Sequence, residues 1–335
     1  MRVPGGNSRV RTRESGVALI FVLLIFAIIA VVAAGIGTRL YHNTEKQSRY
    51  LQYVQAKHYA LGAEHYVALL LEEDKKNDKK GGKPVDHWFE PWADANDRFD
   101  VAEGEIAIQV LDDQGRFNLN LLADGQSKEI LETLVRILSY EKIDPRLAYR
   151  IRDWIDAGQE VSGSGAEDSL YLTASPPYRT GDTLMASVSE LKLLQILTPD
   201  EYARLLPHVT VLPDSKAGLN ANTMTATVFQ NLSDRLSESD AKAFIDGRGR
   251  DGFADIDTFK KHPLIKGKVD ENVIKKLNLD VKSRFFSVYI KAVYRDVTFY
   301  LHSRLARDDE GKVAVIGREL DVSPKWVAAL RESVR

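Results

Sequence analysis

The sequence predicts an α+β protein with three parts: a long N-terminal α-helix, one antiparallel sheet, and a large α-helical domain inserted into that sheet. Three observations predict it. A long apolar run near the N terminus continues into a helical pattern, and two well-separated segments show the alternation that is typical of strands. The residues between those segments show helical periods with N-caps.

The first element is the run "VALIFVLLIFAIIAVVAAGIG", residues 17–37, which contains no polar side chain. About 20 residues at a rise of 1.5 Å per residue span the hydrocarbon core of a bilayer, and the apolar region of a secretory signal is shorter. This run is therefore predicted to cross a membrane. Lys and Arg lie on both sides of it, and the long polar segment that follows favours an N terminus in the cytoplasm.

The helical pattern continues beyond the membrane run, so that one helix is predicted over residues 17–78. Its second half has apolar residues spaced three and four apart, which predicts an amphipathic helix with one apolar seam. The seam residues are Tyr53, Ala56, Ala60, Ala63, Val67 and Leu70. Because three of them are alanine, another helix could approach this face closely.

The sheet is predicted in two segments, residues 84–121 and 281–335. In the first, apolar and less apolar residues alternate as in a half-buried strand; the apolar positions are Ile106, Ile108 and Val110. The second segment indicates three further strands, which are separated by turns at residues 295–296 and 308–311. Strands before and after a long interval predict one antiparallel sheet that contains an insertion.

Residues 122–280 are predicted to form the inserted helical domain. Several segments there have helical periodicity, and several of these begin with Ser, Thr or Asp as N-cap. Ser187 and Glu190 have the spacing of a capping box ahead of an apolar run.

The composition limits the possible functions. With 44% hydrophobic and 28% charged residues the chain is globular in composition, and a net charge of -2 argues against a nucleic-acid partner. Because the chain has no cysteine, it can form neither disulfides nor thiolate metal sites. The seven histidines form no HExxH pair, and the sequence contains no G-x-S-x-G or phosphate-loop motif. We therefore predict a structural protein rather than an enzyme.

The segment "DWIDAGQEVSGSGAEDSLY" is the strongest candidate for a metal site. Asp153 and Asp156 lie one helical turn apart, and a loop rich in glycine and serine joins them to Glu167 and Asp168. A flexible acidic loop can supply the six to eight oxygen ligands that a hard cation such as calcium prefers. The alternative is that the aspartates cap a helix end and the loop is solvated. An enzymatic acid-base pair is less well supported, because nothing nearby supplies a nucleophile, an arginine clamp or a perturbing partner.

Residues 219–239, "LNANTMTATVFQNLSDRLSES", resemble the start of a helix-hairpin-helix DNA-binding module. Such modules hold the DNA backbone with the amides of a glycine-rich hairpin, but the corresponding stretch here, "NLSDRLSES", has no glycine. The basic residues Arg248 and Arg250 remain, but their neighbours Asp246 and Asp251 indicate a surface turn rather than a phosphate site. The alternative function that stays open is a membrane-anchored adaptor that binds DNA or a substrate through the inserted domain.

Several motifs together carry a family resemblance. The run "SGVALIFVLLIFAIIAVV" resembles the N terminus of type IV prepilins and pseudopilins. The motifs "GRFNLN", "DWIDA", "GAEDSLY", "PPYR", "SVSELKLL" and "LPHVTVLP", followed by "LNANT", occur in this order. They resemble the minor pseudopilin K (GspK) family of type II secretion systems, and the resemblance covers nearly the whole chain after Arg13.

The resemblance implies that a prepilin peptidase cuts after Gly16 and that Val17 becomes the N-methylated terminus, so that residues 1–16 are a leader. At the fifth position after this cut most pseudopilins carry a glutamate, which is thought to pair with the subunit ahead; this chain has Phe21. An unpaired glutamate is costly in lipid. A subunit with nothing ahead of it loses nothing without that charge, which fits the tip of a pseudopilus.

The resemblance further implies the pseudopilin fold, in which the long helix packs on the sheet, and a structural calcium ion in the acidic loop. The ligands that match the family are Asp156, Glu167 and Asp168, with Asp153 as a further candidate. Where the family often has another aspartate shortly after Asp156, this chain has Gly158 and Gln159.

The implied function is a minor pseudopilin at the tip of the type II secretion pseudopilus, which helps to initiate its assembly for protein export across the outer membrane. Its expected partners are the minor pseudopilins I and J, contacted through the seam at residues 53–70, and the prepilin peptidase, with no nucleic acid. Its expected location is the bacterial inner membrane, with a single span and the C-terminal domain in the periplasm.

Overall fold

The computed structural model describes residues 14–81, 84–94, 98–125 and 127–320. Most of the predicted leader, residues 1–13, and the last part of the predicted sheet segment, residues 321–335, lie outside the described residues. The chain forms two compact units, residues 1–55 and 56–335.

The first unit is helical throughout its described part. Helix α1 begins at Glu14 and ends at Gly81, so that it extends beyond this unit into the second. Among the described residues, α1 is the one helix long and apolar enough to cross a membrane. Its apolar side chains are exposed, Val17 by 53% and Phe21 by 60%, as is expected for a segment whose surroundings are lipid.

The second unit contains a five-stranded antiparallel sheet in the order β1-β2-β5-β6-β7. Its strands are Arg98–Val101 (β1), Gly104–Asp112 (β2), Phe285–Tyr294 (β5), Val297–Arg307 (β6) and Val313–Leu320 (β7). The four strands that the alternation predicts are confirmed. Strand β1 was not predicted, because it is exposed along most of its length and has no buried face to produce an alternation.

The soluble part of α1 packs on this sheet through the predicted seam. The Tyr59 ring lies edge-on to Tyr294 of β5 at 5.9 Å between centroids, and Glu64 accepts hydrogen bonds from Arg318 of β7 at 2.7 Å. The buried seam residues are Ala56, Ala60, Ala63 and Val67. Small side chains there let the helix lie close to the sheet. This confirms the α+β fold with helix on sheet.

The burial of the seam corrects the predicted mode of partner contact. Residues 56–67 of the seam face the chain's own core, so this face is not available to the helix of another subunit. Tyr53 and Leu70 are only partly buried, and Leu71 takes the position at the end of the seam that the spacing gave to Leu70. The period of apolar residues predicts that a face is buried, but it does not identify what covers it.

The residues between β2 and β5 form the insertion. Its α-helices are Lys128–Tyr140 (α3), Arg146–Ile155 (α4), Asp168–Tyr171 (α5), Pro199–Leu205 (α6), Ala226–Gln230 (α7), Glu238–Gly247 (α8), Ile256–Lys261 (α9) and Glu271–Lys276 (α10); Pro91–Asp94 (α2) precedes β1. The short strands Phe117–Asn118 (β3) and Val209–Thr210 (β4) pair in parallel. The helices α3, α4, α6, α8 and α9 coincide with segments of predicted helical period, whereas α5, α7 and α10 were not predicted.

Three 3₁₀ helices, Asp113–Gly115, Leu119–Ala123 and Val188–Leu194, complete the insertion. The third begins with the predicted capping box of Ser187 and Glu190, but it is a 3₁₀ helix rather than an α-helix. One apolar core joins these elements and includes Phe117, Trp154 and Phe244.

Buried asparagines from two of the sequence motifs hold the insertion together. The Asn120 side chain accepts a hydrogen bond from the Met185 N–H at 2.9 Å and donates to the carbonyl oxygens of Met185 and Leu212 at 3.0 and 2.8 Å. Asn118 similarly accepts from the Leu212 N–H and donates to Asp214 and Ala217. Each amide therefore replaces backbone pairing between segments distant in sequence.

Replacement of Asn120 by Ala is expected to lower the free energy of unfolding by about 3 kcal/mol, because three buried backbone groups lose their partner. Urea unfolding of the detergent-solubilised chain, followed by the fluorescence of the buried Trp154, measures this change. The matched control is Asn272→Ala, at an exposed asparagine of α10, where the change should stay within about 0.5 kcal/mol. Equal effects of the two substitutions would contradict the assigned role.

Candidate functional site

Three of the four predicted metal ligands come together in the structure. Asp153 lies in the last turn of α4, Asp156 directly follows that helix, and Glu167 directly precedes α5. One carboxylate oxygen from each lies within 4.8 Å of those of the other two. We call these three residues the loop cluster.

The glycines of the loop allow the chain to fold over Asp153. A Cβ atom at Gly165 would overlap the Asp153 Oδ2 atom, and Gly163 has a φ of +59° beside the Tyr149 ring. The Ser162 N–H donates to the Asp153 carboxylate at 3.1 Å. Only a loop without side chains at these points can approach so closely.

The loop cluster carries negative charge that the protein does not compensate. Glu167 is only 2% exposed, and neither of its carboxylate oxygens has a hydrogen-bond partner. Burial, together with the charges of Asp153 and Asp156, raises the pKa of Glu167 to about 7. Burial also raises the pKa of Asp153. A divalent cation bound by these oxygens would remove the cost of burying them, so the residues present fit a calcium ion.

Asp168 is the predicted ligand that the structure places elsewhere. Its carboxylate accepts hydrogen bonds from the Thr180 N–H at 2.9 Å and the Thr180 hydroxyl at 3.0 Å, and it pairs with Arg179 at 2.8 Å. The Thr180 N–H is the main reason why the pKa of Asp168 is lowered. Asp168 therefore anchors the segment "PPYRT" and is not part of the loop cluster.

The motifs that flank the loop cluster pack against one another. The Trp154 ring lies edge-on to Tyr171, which stacks on Tyr178 at 5.5 Å. The Trp154 indole N–H donates to Glu190 at 3.0 Å, and the Tyr178 hydroxyl donates to the Leu193 carbonyl at 2.6 Å. Four separate motifs thus form the wall of one site, a convergence that their spacing in sequence did not predict.

The residues of the candidate processing site lie at the start of α1. The helical backbone includes Gly16 and Val17. Cleavage and methylation at this position remain predictions.

The basic residues that could have supported DNA binding already have partners. Arg248 donates to the carbonyl oxygens of Asn222 and Met224 at 2.8 and 3.0 Å, and burial lowers its pKa to about 10. The Arg250 guanidinium lies over the Phe89 ring at 5.9 Å. The Arg248 guanidinium is therefore engaged by the insertion itself, whereas Arg250 is exposed.

A serine, a histidine and a glutamate lie in line beside a cavity of about 320 Å³ between the sheet and the insertion. The Ser287 hydroxyl lies 3.2 Å from the His302 Nε2 atom, and His302 Nδ1 lies 3.6 Å from Glu319. However, the Ser287 hydroxyl donates its proton to the Asp113 carboxylate at 2.9 Å. The Ser287 hydroxyl is therefore shared between Asp113 and His302 and is not directed at the histidine alone.

Comparisons with known proteins agree with the geometry. Family models described as "Type II secretion system (T2SS), protein K" match residues 115–214 and 219–282. The chain is similar to type II secretion system protein K of Pseudomonas aeruginosa, with 35% identity over 92% of this chain and 94% of that protein. It is also similar to the protein of the same name from Pectobacterium carotovorum, with 32% identity over 92% of this chain and 97% of that protein.

A solved structure is similar over most of the chain. It is the GspK-GspI-GspJ complex from the type 2 secretion system of enterotoxigenic Escherichia coli. The matching chain has 26% identity and a TM-score of 0.73, and the match covers 84% of this chain and 100% of that chain.

Proposed function

The chain belongs to the type II secretion system protein K family, the minor pseudopilins K, and from this premise we propose that it forms the tip of the pseudopilus and helps to initiate its assembly. The observation that carries the proposal is the architecture itself. An apolar helix continues into an amphipathic half that packs on a sheet, and a helical domain larger than that sheet is inserted between β2 and β5. The proposed role is structural, as is that of the pseudopilin family to which the chain belongs.

Two features support a position at the tip. A subunit in a filament shaft packs against neighbours on all sides, whereas a subunit at the end has room for a bulky insertion. Phe21 adds no charge to the membrane-spanning part of α1, and an apolar side chain there needs no partner from a subunit ahead.

The proposed partners are the minor pseudopilins I and J, by analogy with the complex that the similar structure contains. Since the seam at residues 56–67 is buried in this chain, we expect contact through the outward face of α1. Leu69 on that face is 50% exposed, and a Cβ atom at Gly62, two turns earlier, would have open space around it. A small residue beside an exposed leucine suits close packing of a second helix.

Leu69→Glu is expected to reduce recovery of pseudopilins I and J with the detergent-solubilised chain by about tenfold, because a charge replaces an apolar contact. Co-purification from cells that express all three proteins measures it. Leu193→Glu is the control, at a leucine of similar exposure (43%) in the insertion. Unchanged recovery with Leu69→Glu, or equal loss with both variants, would place the contact elsewhere.

The proposed biogenesis is cleavage after Gly16 by a prepilin peptidase, methylation of Val17, a single span of the inner membrane and a periplasmic C-terminal domain. The apolar run of α1 supports the span, and the sequence "SGVAL" supports the cut.

Intact mass and N-terminal sequencing of the membrane-bound protein test the cut. In cells with the peptidase we expect a chain that begins at N-methylated Val17, and in cells without it a chain that begins at Met1. A Met1 start in both, or a start near Ala34 in both, would contradict processing as a pseudopilin.

We also propose that the loop cluster binds a structural calcium ion through Asp153, Asp156 and Glu167. The ion would join the end of α4 to the start of α5, across a loop that has no disulfide to hold it. Asp168 acts as a positioning residue, because it holds the neighbouring "PPYRT" segment.

Glu167→Gln is expected to weaken calcium binding to the loop cluster by at least about tenfold and to abolish part of the rise in melting temperature that calcium produces. Calorimetric titration and thermal unfolding with and without calcium measure both effects. The matched control, Glu160→Gln, removes an exposed acid of the same loop and should leave both quantities unchanged. Equal affinity of the Glu167→Gln variant and the unmodified chain would refute the site.

A further inference from the structure

A second group of acidic residues lies far from the loop cluster, where the end of α1 meets the segment before α2. Asp74 and Asp78 belong to α1, and Glu90 directly precedes α2. One carboxylate oxygen of each lies within 4.8 Å of those of the other two. We call these three residues the helix-end cluster.

One oxygen of the helix-end cluster, Oδ2 of Asp78, is buried and lacks a hydrogen-bond donor in the part of the chain that the structure describes. The Glu90 side chain is only 10% exposed. Its Oε2 accepts hydrogen bonds from the His87 backbone N–H at 3.0 Å and from the Trp92 indole at 2.6 Å, and its Oε1 lies 3.7 Å from His87 Nε2. Buried carboxylate oxygens without donors are costly unless a cation satisfies them.

The neighbouring charges do not balance the cluster. Arg307, which is 1% exposed, pairs with Asp74 at 2.8 Å and with Asp86. Its guanidinium is thus shared between two carboxylates, and among the described residues Asp78 forms no ion pair. Lys75 and Lys282 act on Asp78 only at longer range.

The titration of the cluster agrees with this excess of negative charge. Burial, and next the charges of Asp74 and Asp86, raise the pKa of Glu90 to about 9. Burial, and next the charge of Asp86, raise the pKa of Asp74 to about 7.

We propose that Asp74, Asp78 and Glu90 bind a second divalent cation of the calcium class. All three ligands are carboxylates, which hard cations prefer and which soft metals do not. A calcium ion holds its oxygens at about 2.4 Å, so that two ligands on opposite sides of it lie about 4.8 Å apart. Because the three cluster oxygens lie within 4.8 Å of one another, one such ion could contact all of them.

The ion would join two elements that Arg307 also links, through Asp74 of α1 and Asp86 of the segment before α2. It would fix the last turns of α1 to the segment that leads into the sheet, beside Asp86, whose backbone N–H donates to Val281 at 2.8 Å. This site is independent of the loop cluster and does not rest on the proposed function.

The number of bound calcium ions per chain tests the proposal. The detergent-solubilised full chain is equilibrated with calcium at about 10⁻³ M, which is well above the dissociation constants of sensor-class sites. Native mass spectrometry of this sample should show two bound ions per chain. Asp78→Asn and Glu90→Gln should each leave one ion, and so should Glu167→Gln in the loop cluster. Glu73→Gln is the control at an exposed acid of α1 and should leave two.

The ion retained at the other cluster reports that each variant is folded. One ion in the unmodified chain, lost in Glu167→Gln but kept in Asp78→Asn and Glu90→Gln, would overturn the helix-end site and leave the loop site intact. One ion with the reverse pattern would support the helix-end site and refute the loop site. Two ions in both Asp78→Asn and Glu90→Gln, or none in the unmodified chain, would also overturn the proposal. If Glu90→Gln fails to fold, Asp78→Asn decides, because Asp78 makes no side-chain hydrogen bond that asparagine would lose.

Discussion

The structure depends on the hydrogen bonds that hold the two ends of the insertion together. The chain leaves the sheet at Asp112, at the end of β2, and comes back to it beside Ser283, just before β5. The Asp112 carboxylate, 2% exposed, accepts from the hydroxyls of Ser283 and Thr223 and from the Asn220 amide at 3.1 Å. Because Asp112 lies at one end of the insertion and its donors come from the other end and from the interior, one buried carboxylate fixes where a long segment begins and ends. The entropy lost in closing such a segment is offset here by polar contacts rather than by a disulfide.

Buried polar junctions of this kind recur through the second unit. Arg307 of β6 joins α1 to the segment before α2 through Asp74 and Asp86, and Arg318 of β7 joins the sheet to Glu64. A chain without cysteine has no covalent alternative. Buried charges cost free energy when a partner is missing, so these junctions specify one arrangement of helix, sheet and insertion. Hydrogen bonds of the same kind explain why the motifs "GRFNLN" and "LNANT" of this chain place asparagine side chains at buried positions.

The parts of the fold that could be predicted from the sequence are those with a long repeating pattern. The α1 helix, four strands and most helices of the insertion have such patterns, whereas β1 and the one-turn helix α5 do not. The spacing of apolar residues three and four apart located the buried face of α1. It could not show that the chain's own sheet covers that face. Asp168 is adjacent to Glu167 and carries the same functional group, yet Thr180 and Arg179 engage it. Which of two adjacent carboxylates faces a site is decided by residues distant in sequence, and spacing alone does not contain that information.

The positions of the two acidic clusters have a common physical logic. Asp153 lies in the last turn of α4, and Asp78 lies in the last turn of α1. The C-terminal end of a helix carries a partial negative charge, so acidic side chains there are less stable than at the other end. A carboxylate that is buried at such an end, with too few donors for its oxygens, is stabilised by a nearby positive charge. Arg307 supplies part of that charge at the end of α1, and no arginine forms an ion pair with the loop cluster among the described residues. A bound cation would act in the same way in both clusters, since it would neutralise the carboxylates and join a helix end to the irregular segment beside it.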